Sequence, residues 1–185
     1  MAASSSLAER DLRALIAVVQ DGRRDDPGPA MPWVALDHLN ALIGCDAVAF
    51  VELDLRRQRT PLIQGVEGAD RVFARNADSP DDDVFWRLYR DFRPCHDPTR
   101  PAAVRVIRWS EVYTQQELRN APLFVAYFRP SGEKHVVIVG LPTQPEHNRR
   151  LLFWRRSGRD FSYRDKLVLE LLWPHLWQVY QDAEL

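Results

Sequence analysis

The sequence predicts an α+β protein in which helices pack on one antiparallel sheet, and three observations support this class. Residues 45–54 and 135–141 are apolar at consecutive positions, as expected for central strands buried on both faces. Strand-like segments follow one another across short polar turns, which is typical of hairpins and therefore of antiparallel pairing. Amphipathic helices are predicted at both ends of the chain.

The first third of the chain predicts two helices and a hairpin. Residues 1–22 have apolar side chains at helical spacing, and residues 23–31 form a polar linker that contains proline. Pro32 is expected to open the second helix and Gly44 to end it, which is the usual placement of these two residue types. Residues 61–66 form a weaker strand that pairs with the first buried strand.

The middle of the chain predicts further helices and strands. Residues 79–83 combine a capping serine, a proline and an acidic first turn, which indicates the start of a helix. Residues 104–109 form a short strand. Thr114 and Glu117 have the spacing of a capping box, so another helix begins there. Residues 148–156 complete a hairpin with the second buried strand.

The last predicted element is a long helix over residues 161–185. Ser162 is a suitable N-cap, and Asp165 can reach back to it. The final residues provide no closing glycine, no proline and no basic last turn. We therefore expect residues 1–185 to form a single sensory domain, with residues 32–160 as its sheet and helices. The last helix is then a connector to an output domain that follows.

Composition excludes several classes of protein. The chain is 45% hydrophobic and 28% charged, as in ordinary globular proteins. No apolar run approaches the ~20 residues of a membrane span, so we expect a cytoplasmic protein without a membrane partner. A formal net charge of −1 does not favour binding of nucleic-acid phosphates by this segment. An arginine cluster is interpreted as a solvated strand end; its members are Arg149, Arg150, Arg155, Arg156 and Arg159.

No motif supports catalysis, a metal or a cofactor. Phosphate-binding glycine loops and nucleophile elbows do not occur in the sequence. Cys95, His96 and Asp97 are consecutive, and neighbouring side chains point apart, so they are not expected to form a catalytic pair. The second cysteine, Cys45, is fifty residues away. We expect neither an enzyme nor a metal site.

Two groups of residues resemble the GAF-like sensory domain of actinobacterial LuxR-type transcription regulators. The first group is residues 109–112 (WSEV), 122–124 (PLF) and 128–130 (FRP); the second is residues 160–165 (DFSYRD) and 169–176 (LELLWPHL). The resemblance implies a GAF/PAS-like antiparallel sheet with a ligand-sized cavity on one face, followed by a helix-turn-helix DNA-binding domain. It implies no particular ligand.

Candidate ligand-binding residues are aromatic side chains and a few polar ones, since ligand pockets are mostly apolar with few polar groups. The alternative is that the aromatic residues fill the core and that Glu52 lies in water at a strand end. The candidates are Phe50, Glu52, Trp86, Trp109, Tyr113, Tyr127, His135 and Phe153.

Trp173 and Trp177 share one face of the last helix, which is predicted to be either core or a dimer interface. We expect a homodimer whose interface contains Leu12, Ile16, Trp173, Trp177 and Tyr180. The sequence thus favours a sensor that binds an unknown small molecule and contacts DNA only through another domain. The alternative is a GAF-like protein-interaction module without a ligand.

Overall fold

The computed structural model describes residues 9–21, 30–77, 82–95 and 105–183. In these ranges the chain forms a six-stranded sheet in which all neighbouring strands are antiparallel. The strands are β1 Ala47–Asp54, β2 Arg59–Glu67, β3 Asp70–Ala77, β4 Val106–Arg108, β5 His135–Leu141 and β6 His147–Arg155. Their spatial order is β3-β2-β1-β6-β5-β4, so β1 and β6 lie at the centre.

Helices cover both faces of this sheet. They are α1 Glu9–Asp21, α2 Trp33–Ile43, α3 Asp82–Leu88, α4 Gln115–Asn120 and α5 Tyr163–Ala183. Tyr89–Asp91 and Trp109–Glu111 are 3-10 turns, and Phe124–Phe128 is a π-helical segment. The architecture confirms the predicted α+β class with a long C-terminal helix. In the described part of the chain, no helix is both long and apolar enough to cross a membrane.

The predicted helix boundaries that depend on local chemistry are confirmed. Gly44 follows α2 with a φ of 63°, a conformation that favours glycine. Thr114 Oγ1 accepts a hydrogen bond from the Glu117 N–H at 3.2 Å, and the Glu117 carboxylate accepts one from the Thr114 N–H at 2.7 Å. At the start of α5, Ser162 Oγ accepts from the Asp165 N–H at 3.1 Å.

Strand β3 is an element that the sequence analysis did not predict. It is an edge strand that pairs with β2 across a turn at Gly68, where φ is 57°. Val72 and Phe73 are 46% and 45% exposed. Because neither side of this strand is continuously buried, its sequence lacks the apolar pattern of a strand. The helix start predicted at residues 79–81 lies outside the described residues, and α3 begins at Asp82.

We call the side of the sheet under α2 and α5 the first face. Phe50 of β1 and Phe153 of β6 are fully buried there. Leu39 of α2 and Leu172 of α5 belong to the same apolar cluster. Tyr180 of α5 stacks on Phe50 with 5.3 Å between ring centroids. This face therefore forms a continuous core between the sheet and the longer helices.

We call the opposite side of the sheet the second face. Ala49, Val51, Leu152 and Trp154 lie on it, because successive side chains of a strand alternate between faces. Its cover consists of short segments: α3, the two 3-10 turns, α4 and the π-helical segment. Short segments cross a sheet at varied angles, and this face carries two smaller apolar clusters rather than one.

Candidate functional site

A cavity of about 230 Å³ lies between the second face and the short segments that cover it. Four strands supply an apolar floor: Ala49, Val51, Leu53, Ile63, Val136, Ile138, Leu152 and Trp154. The roof is mainly aromatic: Phe85, Cys95, Trp109, Tyr127 and Phe128. An apolar protein cavity of about 150 Å³ can hold benzene, so this one has room for a small organic molecule.

Three polar side chains complete the lining, namely Thr60, Glu133 and Arg150. Arg150 is on the second face because it alternates along β6 with Leu152 and Trp154. Thr60 reaches the cavity at a β-bulge. Between the pairs Glu52–Leu62 and Asp54–Arg59, one residue of β1 lies opposite two of β2.

The aromatic roof forms a continuous set of ring contacts. The rings of Phe85 and Tyr127 are 5.2 Å apart, and those of Tyr127 and Phe128 are 5.1 Å apart. Phe128 is 4.9 Å from Trp109. Tyr127 and Phe128 belong to the π-helical segment, a conformation that is frequent at functional sites. These tilted and edge-on contacts fix the shape of the roof before any ligand binds.

Arg150 is 3% exposed and makes three hydrogen bonds. Its Nη2 donates to the Tyr89 hydroxyl at 2.7 Å, its Nε to Asn148 Oδ1 at 2.8 Å and its Nη1 to Cys95 Sγ at 3.4 Å. Burial raises the pKa of Tyr89 and of Cys95, so both partners are neutral. Within the described ranges no carboxylate forms an ion pair with Arg150. Among the residues that the structure describes, this buried positive charge therefore has neutral hydrogen-bond partners.

The other end of the cavity contains polar atoms without a partner. Burial raises the pKa of Glu133 to about 7, against the opposing effect of the Arg156 guanidinium. Glu133 Oε2 and the indole N–H groups of Trp109 and Trp154 have no hydrogen-bond partner among the described residues. Trp154 is four residues from Arg150 along β6, which corresponds to about 13 Å. The cavity thus has polar groups at two ends and an apolar middle.

The two cysteines are not activated. Burial raises the pKa of Cys45 to about 12 and also raises that of Cys95. Both thiols are therefore protonated at neutral pH, whereas a nucleophile requires the thiolate. His96 and Asp97 lie outside the described residues. Among the described residues, no group of three or more His, Cys, Asp or Glu side chains is placed to hold a metal ion.

Four of the eight candidate ligand residues lie at or beside the cavity. Trp109 and Tyr127 line it directly. Trp86 is buried behind the roof, with its ring 5.0 Å from that of Phe85. Tyr113 belongs to the same apolar cluster as Trp109. The structure thus brings these four candidates together on the second face of the sheet.

The other four candidates do not reach the cavity, which corrects the expectation from the sequence. Phe50 and Phe153 are on the first face, under α5. Glu52 is also on that face and forms an ion pair with Arg149 at 2.7 Å. His135, at the start of β5, is not part of the lining. A strand that is apolar on both faces gives no indication of which face holds a cavity.

The predicted dimer residues of α5 pack within their own chain. Tyr180 is 2% exposed and stacks on Phe50, so it lies in the core and not on the surface where the sequence analysis expected it. The Trp173 indole N–H donates to the Gly140 carbonyl at 2.6 Å, and this side chain is partly buried. Trp177 is also partly buried and stacks on Tyr180. Trp173, Trp177 and Tyr180 of α5 thus pack against the core, whereas Tyr163 at the start of the helix is 65% exposed.

The two predicted dimer residues of α1 are Leu12 and Ile16. Ile16 is 53% exposed. The side chain of Leu12 lies outside the described residues. Leu171, on α5, is 49% exposed and was not predicted as an interface residue. Exposed apolar side chains are therefore present on both helices.

Arg150 is a cavity-lining residue that the sequence did not indicate. The interpretation of its cluster as a solvated strand end is wrong for Arg150, which is buried on the second face. Arg155 is also partly buried, and its guanidinium donates to the Ile43 carbonyl at 2.7 Å. The available signal was the alternation along β6, where Arg150 shares a face with Leu152 and Trp154.

No protein-family model matches the sequence, and no curated protein matches it at a significant level. Solved structures match its fold. The VqsR LBD domain from Pseudomonas aeruginosa matches with a TM-score of 0.53 and 13% identity over 96% of this chain and 98% of that chain. The GAF domain of a phosphoenolpyruvate-protein phosphotransferase from Coxiella burnetii gives 0.55 and 17%, over 97% of each chain.

A third match is the chromophore-binding domain of the Stigmatella aurantiaca bacteriophytochrome. Its TM-score is 0.63 at 13% identity, over 97% of this chain and 63% of that chain. Together these similarities confirm that the chain has a GAF-like fold. At such low identities they concern the fold alone.

Proposed function

We propose that the chain is the sensory domain of a LuxR-type transcription regulator and that a small molecule in the cavity is its signal. The observation that carries the proposal is a cavity with an apolar middle, the buried Arg150 guanidinium at one end and polar atoms without a partner in the described residues at the other, which is the usual character of a ligand site. The fold that it shares with the VqsR LBD domain, a name that denotes ligand binding, supports the same role.

In this proposal the domain acts in the cytoplasm and catalyses no reaction. Contacts with DNA belong to a separate helix-turn-helix domain, because a net charge of −1 does not suit binding of phosphates. The proposal also requires that binding of a ligand in the cavity affects helix α5, which would lead to the output domain.

Helix α5 contacts the sheet directly behind Arg150. The Trp173 indole binds the carbonyl of Gly140, which is paired with Arg150 across β5 and β6. The Tyr180 hydroxyl binds Glu52, which is paired with Arg149 across β1 and β6. A ligand that moves Arg150 thus acts on the strand positions that hold α5. Signalling then requires different ligand affinities for two positions of this helix.

Thermal-shift screening of small metabolites tests the sensor proposal. We expect some compounds to raise the melting temperature of the wild type by binding the folded state. Val136→Phe fills the cavity and should abolish the response. The matched control, Val72→Phe on the exposed edge strand β3, should retain it. A flat response of the wild type to a broad library contradicts the proposal and supports the interaction module.

The regulator type has a separate test. We expect the gene that encodes this chain to specify a helix-turn-helix domain as well. A different output domain contradicts the LuxR assignment and leaves the sensor proposal in place.

We also propose that the regulator is a homodimer through α1 and α5. Ile16 and Leu171 are exposed apolar side chains on these two helices, which pack against each other. Ile16→Lys combined with Leu171→Lys should reduce the mass measured by light scattering from dimer to monomer. Phe73→Lys, an equally exposed position on β3, is the control and should leave the mass unchanged. An unchanged mass in the double variant contradicts this interface.

A further inference from the structure

Arg150 identifies the chemistry of the ligand beyond its size. A buried guanidinium is charged at any ordinary pH, and burial without a counter-charge is costly. Its three partners, Tyr89, Asn148 and Cys95, are neutral acceptors. In the described residues, the strand neighbours of Arg150 on the second face also provide no charge: they are Val51 on β1, Gly140 on β5 and Leu152 on β6. The described residues thus supply no counter-charge for Arg150, and an anionic ligand in the cavity would supply one.

The hydrogen bonds of Arg150 leave part of its donor capacity unused. A guanidinium has five N–H groups, of which Nε has one and each Nη has two. Nε is bound by Asn148, and one N–H of each Nη is used by Tyr89 and Cys95. One donor on Nη1 and one on Nη2 remain. Two donors on one fork match the two oxygens of a carboxylate.

We propose that the cavity binds an organic monocarboxylate, with its carboxylate on Arg150 and its apolar body beneath the aromatic roof. This inference rests on the proposed sensor function and names the class of its ligand. A monoanion matches the single positive charge of Arg150, whereas a phosphate dianion brings a second negative charge that Arg150 does not balance.

The shape and polarity of the cavity fix the orientation of such a ligand. The apolar floor and the rings of Phe85 and Trp109 enclose the middle, which suits one aromatic ring or a short alkyl chain. Glu133 and the Trp154 indole stand at the end away from Arg150. A carboxylate at that end meets the Glu133 carboxyl, and the Arg156 guanidinium near it is already paired with Glu67 at 2.6 Å, so the reverse orientation is disfavoured.

Calorimetric titration with matched acids and amides tests this inference on the wild-type chain. The probes are benzoate, phenylacetate and hexanoate, each compared with its amide, which keeps the shape and removes the charge. We expect at least one acid to bind with one site per chain and about 10- to 100-fold more tightly than its amide. Tyr89→Phe, which removes a hydroxyl that holds the guanidinium, should weaken the acid several-fold and leave the amide unchanged.

Two arginine variants test whether Arg150 is the source of the preference for the acid over its amide. Arg150→Met should abolish the preference for the acid. Arg149→Met removes a guanidinium from the adjacent residue on the first face and should preserve the preference. Circular dichroism establishes that each variant is folded, and the wild-type comparison stands even where a variant does not fold.

The remaining outcomes separate this inference from the sensor proposal. Equal affinities for an acid and its amide overturn the carboxylate inference, while binding itself still supports a sensor. Binding of none of the six probes overturns the inference for ligands of this size. The metabolite screen then decides the sensor proposal independently. Retention of the acid preference in folded Arg150→Met also overturns the inference.

Discussion

The two faces of the sheet differ in how closely their apolar side chains pack and in the hydrogen bonds that buried side chains such as Gln64 and Trp154 make. On the first face, buried Gln64 makes three hydrogen bonds with the backbone of Ala30 and Met31. On the second face, the indoles of Trp109 and Trp154 have no partner in the described residues. The first face is a continuous core under α2 and α5, whereas the second encloses a cavity.

This difference shows how one sheet can stabilise the fold on one face and enclose a cavity on the other. Close packing against long helices provides stability, since each buried methylene contributes and each void costs. Incomplete packing and unpaired polar atoms reduce stability but leave groups available to a ligand. The strands β1, β5 and β6 contribute alternate residues to both tasks.

The largest expected effect is on stability, and it distinguishes the two faces through two adjacent leucines of β6. Leu151 is fully buried on the first face, and Leu152 lines the cavity. We expect Leu151→Ala to lower the free energy of unfolding by about 4 kcal/mol, because it creates a new void in a closed core. Leu152→Ala only enlarges an existing cavity and should cost about 2 kcal/mol. Urea denaturation measures both values, and equal costs would contradict the distinction.

A substitution that adds volume should show the opposite tolerance. Val137→Phe overpacks the first face and should cost about 2–3 kcal/mol. Val136→Phe, one residue earlier on β5, extends into the cavity and should cost less than about 1 kcal/mol. The comparison uses the same change on neighbouring residues of one strand. A greater loss for Val136→Phe in chemical denaturation would show that the second face is closed.

Glu133 predicts a pH dependence that belongs to the second face. Burial raises its folded-state pKa to about 7 from an ordinary 4.5, with Glu67 raising and Arg156 lowering it. Between these values the folded chain holds a proton that the unfolded chain has lost. The free energy of unfolding therefore falls as the pH rises from about 4.5 to 7, by an amount on the order of 2 kcal/mol.

Glu133→Gln replaces the titratable carboxyl with a neutral amide and should therefore flatten the stability profile between about pH 4.5 and 7. The measurement is a series of urea denaturations across the pH range. Glu146→Gln, in an exposed turn, is the control and should retain the wild-type slope. Stability that stays constant or increases over this range in the wild type is the contradicting result.

The smallest expected effect concerns the first turn of α5. Ser162→Ala removes the hydroxyl that accepts from the Asp165 N–H and should cost about 1 kcal/mol. The helix still packs on the first face, so ligand binding at the second face should be unchanged. Denaturation and calorimetry measure the two quantities on the same variant. A weaker ligand affinity would show that the faces are more tightly coupled than their packing indicates.

The parts of the fold that depend on local chemistry could be predicted from the sequence. Gly44, Thr114 and Ser162 mark helix boundaries because capping involves residues three or four positions apart. The buried strands β1 and β5 were visible as apolar runs. Strand β3 was not, because an exposed edge strand is stabilised by its neighbour rather than by its own apolar side chains.

The candidate site could be predicted only in part, because it depends on long-range pairing. Trp109 and Tyr127 were identified from their aromatic character, but the same reasoning included Phe50 and Phe153 on the wrong face. Arg150 was taken for a solvated residue. Its burial follows from the pairing of β6 with β1 and β5 and from the packing of Tyr89 against it, neither of which a local pattern specifies.

The most direct test of the two-face account is methyl NMR during titration with phenylacetate. The account predicts saturating shifts of the second-face methyl groups of Ile63, Ile138 and Leu152. The first-face methyl groups of Val139 and Leu151 should shift several-fold less. Shifts that are greatest on the first face, or absent from both faces at saturating concentration, would contradict it.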